Sequence, residues 1–170
     1  MTTEIKKIDI AIEEITNYIL QLHEAAVKTV DKYTNICSQH EQVDGKPPKY
    51  LVRVKLTKNR PTYLTISWHR VKRYVFIRGD TVRTPIVEDV RKFKGTRYKM
   101  QMFPLAKDWE IEAISAAEDI FERIRYEYAR CAKLLRAIKH LRLRHLPIEP
   151  GRLDRLLIPE GEHFQTTDRR

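Results

Sequence analysis

Ser67 and His69 stand two residues apart in a run that alternates apolar and polar, so both side chains fall on one face of a strand. A hydroxyl beside an imidazole is the nucleophile and base of an acyl-transfer site. Such a site also needs a carboxylate to orient the ring, and none lies nearby in sequence. The expectation is therefore a polar strand face and no enzyme. Cys37 and His40 are metal ligands by type, three residues apart. A structural zinc site takes four ligands in paired spacing, and the chain has no second pair. Cys37 reads instead as part of a helix seam and Cys131 as a core residue. Gly45, Gly79, Gly95, Gly151 and Gly161 are too scattered for a GxGxxG turn or a P-loop. No metal and no cofactor are expected.

The strongest chemical signal is charge. Residues 43–107 carry 17 basic and 4 acidic residues, whereas residues 1–42 carry 4 and 7, within a whole-chain net charge of +10. Lysine and arginine neutralise phosphates and release counterions, and tyrosine and guanidinium planes stack on bases. Strand alternation puts Arg53, Lys55, Tyr63, Thr65, Ser67, His69, Arg97, Lys99 and Gln101 on an outward face, with Arg70, Lys72, Arg73, Tyr74 and Arg78 beside it. Arg53, Lys55, Tyr63, His69, Arg70, Lys72, Arg73, Tyr74, Arg78, Arg97 and Lys99 are the candidate nucleic-acid contacts. Two other readings of the same charge are an acidic protein partner and a basic edge that keeps strands from aggregating. A second basic group, Arg130, Lys133, Arg136, Lys139, Arg142 and Arg144, is explained by the preference for cations at a helix C-terminus, with phosphate contact as the alternative.

These residues need elements to position them. Ile5, Ile8, Ile12, Ile15, Ile19, Leu22, Ala26, Thr29, Tyr33 and Ile36 follow steps of three and four, which predicts one long helix ended by Asp44-Gly45-Lys46-Pro47-Pro48. Val30 can take the place of Thr29 in that seam. Residues 50–57 and 62–69 alternate with period two and are joined by Lys58-Asn59-Arg60-Pro61, a hairpin pattern. A short third strand is expected over 74–78, then a stretch interrupted by Pro85, then a fourth strand over 96–103. A second helix is expected over 108–143, with Asp108 as its N-cap, Glu110 and Glu112 at its positive end, and Ala117, Ile120, Phe121, Ile124, Tyr128, Cys131, Leu135 and Ile138 as its apolar face.

The fold class is thus α+β: a long helix, an antiparallel sheet of three to four strands and a second long helix, with both helices on one sheet face. Residues 1–146 form one domain and 147–170 a Pro-containing tail. A helix of about 35 residues, roughly 52 Å at 1.5 Å per residue, outruns a small sheet and predicts a homodimer. No apolar run reaches the length of a membrane span, and the first residues lack the apolar core of a secretory signal, so a cytoplasmic protein without a membrane partner is expected.

The segments 49–54, 64–70 (Leu64-Thr65-Ile66-Ser67-Trp68-His69-Arg70) and 95–98, set between two long helices, resemble the MobI-like conjugative-transfer proteins. Those are accessory mobilisation factors of plasmids and integrative elements. The resemblance spans roughly residues 1–143, brings no catalytic residues with it, and implies DNA at an origin of transfer as the ligand, rather than RNA, with a relaxase as partner. The expected function is a DNA-binding accessory protein. The alternative is an interaction module that docks an acidic protein through the basic sheet and long helices.

Overall fold

A computed structural model describes residues 2–57, 60–76, 83–92 and 95–145. The chain runs through helix α1 (Thr2–Asp44), strands β1 (Tyr50–Thr57), β2 (Arg60–Phe76) and β3 (Arg83–Asp89), a 3-10 turn (Met100–Met102) and helix α2 (Asp108–His145). The strands form one antiparallel sheet in the order β1-β2-β3. The helices pack on each other and on one sheet face, as the two apolar seams require.

Helix α1 stops where its sequence predicts. Gly45 takes a φ of 64°, which a side chain would disfavour, and its N–H closes the last turn by donating to Glu41 O at 2.8 Å. The seam holds at Ile19, Leu22, Ala26 and Tyr33, all buried. Thr29 is also buried, with its hydroxyl returned to Ala25 O at 2.8 Å, and Val30 packs beside it. At the end of the seam Cys37 is buried while Ile36 is 37% exposed, because the last step is four residues rather than three. In α2, Ala117, Phe121, Ile124 and Leu135 are buried, but Ile120 points outward.

Trp68, fully buried at the centre of β2, is the hub of the core. Its ring meets Tyr33, Phe103 and Phe121 edge to face at centroid distances of 5.0, 5.4 and 6.2 Å. Such pairs each contribute about 0.5–1.5 kcal/mol beyond the area they bury.

The sheet departs from expectation in two places. The stretch expected as a third strand over 74–78 is instead, as far as it is described, the end of the 17-residue β2. The register shifts between Val71 and Arg73, so Lys72 is an extra residue that breaks the alternation and makes one strand read as two. The third strand is β3, which contains Pro85. An edge strand tolerates the missing N–H, and β3 is an edge.

No fourth strand forms over 96–103. Tyr98 N–H donates to the Glu118 carboxylate at 2.8 Å, while Met102 and Phe103 donate to Lys99 O and Met100 O. With its donors satisfied by a side chain and a local turn, this segment has no need of a ladder. Its apolar residues still reach the core: Tyr98 and Phe103 are buried, and Met100 and Met102 pack against them. The stretch 147–170, expected as a tail, lies outside the described residues.

Candidate nucleic-acid interface

Two buried carboxylates on α2 fix the sheet against the helices. Glu110 is fully buried, and its Oε1 accepts from the backbone N–H of Lys49 and Tyr50, each at 2.8 Å, and from Tyr33 Oη at 3.3 Å. Burial pushes its carboxyl above the ordinary range, against the pull of those donors. Burial also raises the Tyr33 phenol, and the Cys37 thiol is pushed up to about 11. Glu118, also fully buried, accepts from Trp68 Nε1 at 2.7 Å and from the two terminal guanidinium nitrogens of Arg125 at 2.9 and 3.0 Å. Arg125 donates in turn to Thr96 O at 2.7 Å. Glu110 holds the start of β1, and Glu118 holds the middle of β2 and the 95–98 segment. Among the described residues, neither helix packs on the opposite sheet face.

Cross-strand partners share a face, so the register tells which residues lie on it. Val52, Leu64, Ile66 and Trp68 point into the core, while Arg53 opposite Ser67 and Lys55 opposite Thr65 point away. Arg53, Lys55, Tyr63 and Thr65 are exposed, Tyr63 at 56%. These four place two cations, a phenol and a hydroxyl on the same exposed side of the β1–β2 pair. Among the predicted contacts, Arg53, Lys55 and Tyr63 are brought together as expected.

The other predicted contacts are placed differently. Arg70 is the partner of buried Tyr50 and so belongs to the helix side of the sheet, where it pairs with Glu88. Lys72 reaches the same carboxylate at 2.5 Å, and the Lys72 hydrogen bond foremost holds Glu88 below the usual carboxylate range. His69 is on the open face but 7% exposed, between Ser67 and Asp89. Arg73 is exposed beyond the bulge. Tyr74 is half-buried with Tyr33, Cys37 and Pro48, and its hydroxyl lies 3.5 Å from Pro48 O. Arg78 lies outside the described residues. Arg97 and Lys99 are not on a strand. The Arg97 guanidinium is bound by Asp119 and Glu122 of α2 at 2.5 and 3.3 Å, which raises its already high pKa, the Asp119 hydrogen bond foremost. Lys99 is exposed at the 3-10 turn.

Part of the basic surplus is therefore paired within the chain, by Glu88 of β3, one of the four acids in the segment, and by Asp119 and Glu122 of α2, which lie outside it. Sequence reasoning missed Glu110 and Glu118 as organising residues. The available signal was Glu118 within the apolar stripe, one heptad before Arg125. His40 stacks on Trp109 at 4.2 Å with an interplanar angle of 6°. No cluster of three or more His, Cys, Asp or Glu residues arranged to hold a metal occurs among the described residues.

The family model described as MobI protein matches residues 22–139, which covers the sheet and the parts of both helices that pack on it. The chain belongs to the MobI protein family. Membership places it among mobilisation-related proteins, as the strand and helix order led us to expect. No curated protein and no solved structure matches the chain. Among the described residues, no helix of this MobI family member is long and apolar enough to cross a membrane.

Proposed function

We propose that this MobI family member binds DNA through the open face of its sheet, as a cytoplasmic accessory factor that works with a relaxase at an origin of transfer. The observation that carries the reading is the group Arg53, Lys55, Tyr63 and Thr65, exposed together on the face that the helices leave free. Two cations supply phosphate contacts and one phenol a stacking platform. Arg73, exposed next to a Tyr74 that packs on the helix side, adds a further cation to the open face.

Fluorescence anisotropy with duplex DNA, single-stranded DNA and RNA oligonucleotides tests it. The reading expects binding to DNA at low salt. Tyr63→Ala should cost about 1–3 kcal/mol on single strands if bases stack there. Absence of binding to every oligonucleotide would overturn it in favour of an acidic protein partner.

The protein acts as a homodimer in this reading. Ile120, Leu134 and Leu141 recur at multiples of seven residues on one exposed stripe of α2, at 41%, 52% and 48% exposure, and Tyr18 of α1 is 41% exposed. A second copy suits the stripe because its heptad spacing is the repeat that a pair of α2 helices related by a two-fold axis would bury between them. Sedimentation should give twice the chain mass at micromolar concentration, and Leu134→Arg should return it to the monomer. A wild-type monomer would remove this part of the reading.

A further inference from the structure

Asp89 supplies the carboxylate that the sequence lacked beside Ser67 and His69. Ser67 Oγ lies 2.9 Å from His69 Nε2, and His69 Nδ1 lies 2.8 Å from Asp89 Oδ1. The contacts join hydroxyl, base nitrogen, second ring nitrogen and carboxylate in the order that activates a serine nucleophile. The Nδ1 approach is close but does not have the angle of an N–H donation, and the Asp89 side chain is 83% exposed. Arg53 is the cross-strand partner of Ser67 on the same face. Cβ atoms of such a pair are about 4.5–5.5 Å apart, so the guanidinium is within reach of an oxygen bound to Ser67.

We infer that Ser67 is an activated nucleophile that takes the acyl group of a carboxylic ester bearing an anionic group, with His69 as its base and Asp89 as the residue that positions the ring. The Ser67 oxygen bonds to the carbonyl carbon, and its proton passes to His69 Nε2. The carbonyl electron pair moves onto oxygen, where Arg53 offsets the new charge. Collapse of this adduct breaks the ester bond, and the departing alkoxide takes the proton from His69 to leave as an alcohol. Water then attacks the acyl-serine by the same proton path, releasing the acid and restoring Ser67. The anionic preference follows from Arg53 and Lys55, neighbours on the open face.

The groups facing the ring are Arg53 from β1, Asp89 from β3 and Ser67 on its own strand. Burial first, then the Arg53 charge, holds the imidazole below its ordinary 6.5 against the pull of Asp89. The base is therefore unprotonated at neutral pH, as its role requires.

The test is covalent labelling of the full chain with a fluorophosphonate, read by peptide mass spectrometry, with Ser38 and Ser115 as internal controls. Ser67 should be labelled selectively, at a rate that falls with acid as His69 protonates below its lowered pKa. Ser67→Ala should abolish the adduct, and His69→Gln should slow it by about 10²-fold or more and remove the pH dependence. Arg53→Ala should reduce p-nitrophenolate release from mono-p-nitrophenyl succinate more than from p-nitrophenyl acetate. If His69→Gln fails to fold, the wild-type pH profile decides. Equal labelling of the three serines, or a wild-type rate that does not fall with acid over the whole range in which the protein stays folded, would show a structural hydrogen-bond network only. Neither result depends on nucleic-acid binding.

Discussion

At the scale of single residues, the two buried carboxylates have different energetics. Glu110 has two backbone donors on Oε1, while its Oε2 is buried without a hydrogen-bond partner among the described residues. Its carboxyl is raised in the folded state, so the folded protein holds a proton that the unfolded chain has already released, and stability falls as pH rises above the ordinary carboxyl value of 4.5 toward the folded one. Glu110→Gln keeps the acceptor and removes that ionisation. It should be as stable as the wild type or more so at neutral pH, with the downward slope lost, whereas Glu110→Ala should cost about 1–3 kcal/mol by orphaning buried N–H groups. Urea unfolding across a pH series measures both. Glu118 is bound to a guanidinium and an indole, so Glu118→Ala should cost about 3–5 kcal/mol in the same assay by stranding the Arg125 charge. The Glu110 role was not legible, because an acid in the first turn of a helix already has an explanation in the helix dipole, and the Glu118 partner Trp68 lies 50 residues away in sequence on another element.

At the scale of elements, period and punctuation carried most of the fold. Both helices, the β1–β2 hairpin and the Gly45 stop were readable because each follows from local spacing. The errors share a physical origin. The extra residue at Lys72 resets the side-chain alternation within β2. The segment 96–103 has strand-like periodicity, but its backbone is satisfied by Glu118, which lies in the following helix. Long-range pairing of this kind leaves no local pattern. Asp89 stayed hidden for the same reason, since its partnership with His69 depends on the β2–β3 register. Helix packing can be checked by charge insertion. Ile124 is 5% exposed, so Ile124→Asp should cost about 3 kcal/mol or more, while half-buried Ile15 should lose roughly 1 kcal/mol on the same change. Thermal unfolding of the pair would contradict the packing if the order were reversed.

At the scale of the whole molecule, helix α1, about 65 Å long at 1.5 Å per residue, and α2 act as a brace that reaches beyond the sheet. Asp9 and Arg142 join their far ends at 2.7 Å. The basic surplus of the middle third divides into cations neutralised from within, such as Arg70, Lys72 and Arg97, and cations displayed on the open face. That division narrows the expected phosphate contacts to roughly three to five. The most direct measurement is the slope of log affinity against log salt for duplex DNA, compared between the wild type and Arg53→Ala/Lys55→Ala. The account predicts a wild-type slope of about −3 to −4.5 that loses close to 2 in the double variant, with the melting temperature unchanged. An unaltered slope in a folded double variant would contradict the claim that this sheet face holds the DNA.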